Sequence, residues 1–220
     1  MLSRRIIALN NHGVNSLRYG RFNEAILSFH HAIQCTTEEV VDASCKDHSY
    51  NHCMGVPQCS VDLLDHATIM TVSPHNMFDI YQNAFLLSGE HSNMDVEEIS
   101  IVIIYNLALA HHLAGIAVQV DSRLQLQEAM RFYKLVLTIS KSKPETSVDF
   151  IALTLGCLTN LGHVFSHFWQ VNEAEACYNM LNGLLESPLV LSLSEEDGDF
   201  FFSTLSFFVA QDHFTLAPAA

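Results

Sequence analysis

The sequence predicts an all-α fold of three helical hairpins, broken by one long insertion and closed by a helical tail. Two observations carry this expectation. A pattern of asparagine, small and aromatic residues recurs three times along the 220 residues. Nearly half of the residues are hydrophobic (49%) and only 15% are charged, which supplies a buried core and argues against wholesale disorder.

The first copy of the pattern reads Asn11-His12-Gly13, then Gly20-Arg21-Phe22-Asn23-Glu24-Ala25, then Phe29 and Ala32. The third reads Asn160-Leu161-Gly162, then Val171-Asn172-Glu173-Ala174, then Tyr178. Gly13 to Ala25 and Gly162 to Ala174 span the same twelve residues. Between them, Asn106-Leu107-Ala108, Gly115, Glu128-Ala129 and Tyr133 form a second copy, its latter half displaced by nine residues. The physical reason for such a pattern is close packing. Gly13, Ala108 and Gly162 let the second helix of a hairpin approach the first. Ala25, Ala129 and Ala174 do the same from the other side, and Phe29, Tyr133 and Tyr178 fill the gap behind. Each hairpin then exposes an apolar face that a neighbouring hairpin covers.

These residues resemble the tetratricopeptide repeat (TPR) family, whose 34-residue unit is a pair of antiparallel helices. The third copy fits best, with Leu158, Leu161, Gly162, Phe165, Ala174 and Tyr178. The first departs at His12 and Ser16, the second at Ala108, and the closing proline comes late, at Pro144 and Pro188. The resemblance covers residues 3–35, 97–141 and 155–187. Residues 105–112 (YNLALAHH) and the ending Ala217-Pro218-Ala219-Ala220 are similar to TPR-like proteins of diatoms, a likeness that adds no activity. The resemblance implies a TPR-like helical-hairpin solenoid with a concave groove. The family's groove positions fall on Asn10, Val14, Leu17, Tyr105, Leu109, His112, Thr159, His163, Ser166 and His167.

In chain order, residues 1–35 form hairpin 1 and residues 36–95 an acidic, Cys/His-containing insertion. Residues 96–190 hold hairpins 2 and 3, and residues 191–220 a Phe-rich cap and tail. The insertion opens with turn formers (Ser44, Asp47, Ser49, Asn51, Gly55, Pro57) and continues with β-prone pieces at 68–72 and 79–87. Residues 35–100 hold one basic and 11 acidic side chains, so this stretch reads as a solvated excursion, irregular or small-β. The extra residues of the second copy lengthen its first helix to about Val120, with Asp121-Ser122 capping the next. In the tail, Ser194 followed by Glu195, Glu196 and Asp197 is an N-cap with first-turn acids. The Phe200-Phe201-Phe202 and Phe207-Phe208 segment is the candidate cap over the last repeat. The alternative is an exposed partner-docking strip.

A formal charge of −14, with ten Lys+Arg against 24 Asp+Glu, excludes a nucleic-acid binder, because phosphate contacts need a basic surface. Residues 101–120 are apolar over nearly a bilayer's length but hold Asn106 and His111-His112, so a buried helix rather than a membrane span is expected. With Asn10, Asn11 and His12 interrupting the N-terminus, no secretory signal is expected, and a reduced, intracellular setting, cytoplasm or nucleus, is expected. Arg4, Arg5, Arg18 and Arg21 keep organelle targeting open.

No Walker loop, Gly-x-Ser-x-Gly or His-Glu-x-x-His is present, and no enzymatic constellation or cofactor is predicted. The expected function is a non-enzymatic interaction module whose groove takes a peptide or helix of a protein partner. Chaperone C-terminal tails are disfavoured, since the family's basic clamp positions fall on Asn10 and Thr159. The alternative is a zinc-binding protein using Cys45, His48, His52, Cys53 and Cys59, which offer N/S ligands at short spacing but no paired knuckles. His163 and His167, four apart, share a helical face and could meet His112 around a polar ligand or a metal. Asn11, Asn106 and Asn160 read as mainly structural.

Overall fold

The computed structural model describes residues 4–43, 58–59, 79–88, 96–117, 121–141 and 148–215. They are mostly helical: α1 (Arg4–Arg18), α2 (Phe22–Ala43), α3 (Val96–Ala117), α4 (Ser122–Ser140), α5 (Val148–His167), α6 (Val171–Leu185) and α7 (Glu195–Thr215). Each of the first six helices packs on the next in sequence. Contacts also join α1 to α3 and α3 to α5, so the first helices of the hairpins form one row. A 3-10 turn, Pro188–Ser192, leads to α7, which lies against α5 and α6.

The hairpins close as the small residues dictate. A Cβ on Gly13 would sit 2.5 Å from the Phe29 ring, so α1 and α2 approach only because that atom is missing. Ala25, Phe29, Ala129, Tyr133 and Ala174 are fully buried with Ala108, while Gly162 is buried and Tyr178 is half-buried against the core.

The turn after α1 is a Schellman motif. Gly20 takes φ +67°, its N–H bonds to the Leu17 carbonyl at 2.9 Å, and the Arg21 N–H reaches the Ser16 carbonyl at 2.9 Å. The turn after α5 repeats these bonds, Trp169 to Ser166 and Gln170 to Phe165, with Trp169 in the left-handed position at φ 59°. In the second hairpin, the equivalent Gly115 lies inside α3, which runs on to Ala117. There Gly115 serves close approach, since a Cβ would meet Leu126 at 2.8 Å.

Three expectations need correction. The second helix of hairpin 1 does not stop near residue 35: α2 runs to Ala43 and takes the start of the insertion into the first hairpin. Asp121 does not cap α4. Its backbone is left-handed (φ 62°) rather than in the extended region a capping residue takes, its side chain makes no capping bond, and the Ser122 hydroxyl instead donates back to the Gly115 carbonyl. The insertion is not solvated throughout. Tyr81, Ala84, Phe85 and Leu87 belong to the core, each no more than 2% exposed. Averaging charge over 36–95 hides a decapeptide, 79–88, whose single charged residue, Asp79, is the exposed one.

That decapeptide is an extended strap laid along α1, α3 and α5. Its short strand β2 (Ala84–Phe85) pairs antiparallel with β1 (Gln58–Cys59), with Cys59 opposite Ala84 and Gln58 opposite Phe85. The β-prone piece at 68–72 lies outside the described residues. α3 is apolar and long enough to cross a membrane by length and composition, yet 89% of its most apolar window is buried inside the fold. Ser194 caps α7, its Oγ accepting the Asp197 N–H at 3.1 Å. Phe201 is buried beneath that helix and Phe202 is exposed.

Candidate functional site

The site is the contact between the strap and the row of first helices, and asparagine builds it. Asn160 on α5 accepts the Tyr81 N–H at 2.8 Å and donates to the Tyr81 carbonyl at 2.9 Å. Asn106 on α3 accepts the Phe85 N–H at 2.9 Å and donates to the Phe85 carbonyl at 2.8 Å. Asn11 on α1 accepts the Leu87 N–H at 2.9 Å and donates to the Leu87 carbonyl at 2.8 Å. Three asparagines at the same repeat position thus each pair with the backbone of one strap residue. The strap runs from α5 through α3 to α1, against the order of the hairpins.

The arrangement follows from strand geometry. Residues 81, 85 and 87 are separated by even intervals, so their N–H and C=O groups share one edge of an extended chain. A side-chain amide offers one acceptor and two donors, the complement of a residue's own backbone pair. The spare amide protons are also used. Asn106 donates to Asn10 Oδ1 at 2.9 Å, Asn10 donates to the Phe85 carbonyl at 3.0 Å and to Asn11 Oδ1 at 3.1 Å, and Asn160 donates to the Tyr133 hydroxyl at 3.0 Å. Buried polar groups are costly unless paired, and every amide atom of Asn106 and Asn160 is paired.

Side-chain pockets flank the ladder. Tyr81 enters a slot left by Gly156, where a Cβ would come within 2.5 Å of the ring. Its ring packs on Phe201 (4.8 Å between centroids) and Phe200 (5.3 Å), and its hydroxyl donates to Asp197 Oδ1 at 2.7 Å. The Asn83 amide donates to the same oxygen at 3.0 Å, and the Ser194 hydroxyl donates to Oδ2 at 2.5 Å. The helix cap and the strap anchor therefore share one buried carboxylate. Phe85 meets Tyr105 edge-on at 5.1 Å, and the Tyr105 hydroxyl donates to the Asn83 carbonyl at 3.2 Å. Burial holds the Tyr105 and Tyr133 hydroxyls well above their usual pKa, so both stay protonated.

A chain of polar groups leads away from Asn160. The Tyr133 hydroxyl, which accepts from Asn160, also lies 3.4 Å from His112 Nδ1. His112 Nε2 in turn shares a hydrogen bond with His163 Nδ1 at 3.0 Å. Burial first, and the His163 and His167 charges second, push the His112 pKa well down, and burial lowers His163 to about 4. Both rings are neutral near pH 7 and bond to each other.

Of the groove residues named from the sequence, Asn10 and Tyr105 touch the strap directly. His112 and His163 stand behind Asn160 through Tyr133. Val14, Leu17 and Leu109 lie in the core, and Thr159 is buried with its hydroxyl unpartnered. Ser166 bonds back to the Gly162 carbonyl at 2.9 Å, and His167 is exposed beside Phe168. Cys45, His48, His52 and Cys53 lie outside the described residues, as does the Cys59 side chain. Among the described residues no group of three or more His, Cys, Asp or Glu could hold a metal ion. Sequence reasoning missed Gly156, Asp197, the strap itself and the role of Asn11, Asn106 and Asn160. The signal for the last was present as their recurrence at one repeat position. Comparison with models of known families, with curated proteins and with solved structures finds no match to this chain.

Proposed function

We propose that the chain is a non-enzymatic, TPR-like interaction module whose row of first helices binds an extended peptide segment of a protein partner. One observation carries this reading: repeat-equivalent asparagines on three successive hairpins each exchange two hydrogen bonds with the backbone of an extended segment. Such contacts read main chain, so they are indifferent to most of the ligand's sequence, while the Gly156 and Phe85 pockets supply preference. A linear array that repeats its ligand-holding residue once per hairpin suits a peptide better than a small molecule. The acidic chain, −14 overall, favours a neutral or basic ligand.

Selection of displayed random peptides on the full chain tests the reading. Selected peptides should protect backbone amides of α1, α3 and α5 from hydrogen exchange. Selection of peptides that protect only surfaces away from these helices would refute it.

A further inference from the structure

We infer that residues 79–88 occupy the groove in cis and that a partner segment carrying the same pattern, Tyr-x3-Phe-x-Leu in extended form, replaces them. This inference rests on the peptide-groove reading and specifies its ligand and its regulation.

The bonds between groove and strap are those a separate peptide would make. From the strap, Asn160, Asn106 and Asn11 bond only backbone groups, and an incoming segment of the same register satisfies them equally. The pattern comes from the pockets. The Gly156 slot takes an aromatic ring, and Asp197 beneath it selects a phenol, because a buried carboxylate loses a donor when the ring lacks a hydroxyl. A phosphorylated tyrosine is excluded there by charge and by burial. Four residues on, Tyr105 presents its ring edge-on to Phe85, and two residues further an aliphatic side chain is covered at α1. Polarity is fixed as well, with the N-terminal end of the ligand on α5.

A strap tethered within the same chain meets its site at an effective concentration on the order of 1 mM. For a peptide that binds the open groove at about 100 μM, such a strap weakens apparent affinity about tenfold. Partners that bind tightly displace it, and weak ones are filtered out.

The test uses the full chain, its Tyr81→Ser/Phe85→Ser variant and a fluorescent synthetic peptide with the sequence of residues 79–88, DIYQNAFLLS. Fluorescence anisotropy should show the variant binding the peptide about tenfold more tightly than the natural chain. A Tyr→Phe peptide should bind several-fold more weakly, and a phosphotyrosine peptide not at all. If the double variant loses its helical circular-dichroism signal, the single Phe85→Ala variant takes its place with the same expected order. On the natural chain, about 1 mM unlabelled peptide should speed hydrogen exchange at the Phe85 and Leu87 amides. Equal affinity for natural and variant chains, with strap exchange unchanged, overturns the inference while leaving the groove reading standing. Failure of both this peptide and display-selected peptides to bind the folded variant overturns the groove reading itself.

Discussion

At the scale of single residues, the asparagines differ in how much depends on each. Asn106 is fully buried, and its removal strands the Phe85 N–H and the Asn10 side-chain Oδ1 where water does not reach. Asn106→Ala should therefore lower unfolding free energy by about 3 kcal/mol in urea titration, an unsatisfied buried group costing about 1–3 kcal/mol. Asn11 sits in part-buried bonds that water can replace, so Asn11→Ala should cost only about 1 kcal/mol. Trp169 makes the opposite case. It occupies a left-handed position that its repeat partner Gly20 fills without penalty, and it stays 69% exposed. Trp169→Gly should raise stability by about 1 kcal/mol, read as a higher urea midpoint, because a non-glycine residue there costs about 1–2 kcal/mol.

Between elements, the α3–α5 contact carries a pH dependence. His112 and His163 are held neutral, with His167 and Tyr133 as the nearest titratable neighbours. In the unfolded chain each titrates near 6.5, whereas folded His163 takes a proton only near pH 4. Above pH 6.5 both states bind no proton and nothing is lost. As pH falls from 6.5 to about 4 the unfolded chain binds protons that the folded one refuses, and stability declines. For His163 alone the loss is on the order of 3 kcal/mol. Urea midpoints taken across this range should fall, and His163→Gln should flatten the slope. The α7–strap contact makes a separate prediction. Tyr81→Phe removes one donor from the buried Asp197 carboxylate and should cost about 1–2 kcal/mol by the same measurement, while Phe202→Ala, on an exposed position of that helix, should change little.

For the whole molecule, the strap closes a row of helices that its own bonds do not build. α3 is covered by α2 and α4 as well as by β2, and its ladder of helical bonds lies within the helix itself. The Tyr81, Phe85 and Leu87 amides should then exchange with solvent through a partial opening, earlier than the central amides of α3 and α5. Exchange of all of these at one common rate would mean that strap and helices open only together. The uneven charge fits this division. Residues 35–100 hold one basic and 11 acidic residues, yet residues 80–88 hold no charge, so the part of the insertion that enters the core is the part that water does not favour.

Local rules determined much of this protein. The recurrence of paired small residues, with an aromatic four residues after the second, placed the hairpins, because close helix packing needs missing atoms at fixed positions, as Gly13 against Phe29 shows. Ser194 with its following acids placed the start of α7, because capping depends on a few consecutive residues. The asparagines were legible as a repeat but not as a site, since their partners lie 21, 76 and 79 residues away. The same separation hid the slot at Gly156, which is empty until Tyr81 arrives from elsewhere in the chain. Only the tertiary structure decided that residues 79–88 lie along α1, α3 and α5. Backbone recognition leaves little mark on the sequence of the segment recognised, because every residue but proline carries the same N–H and C=O.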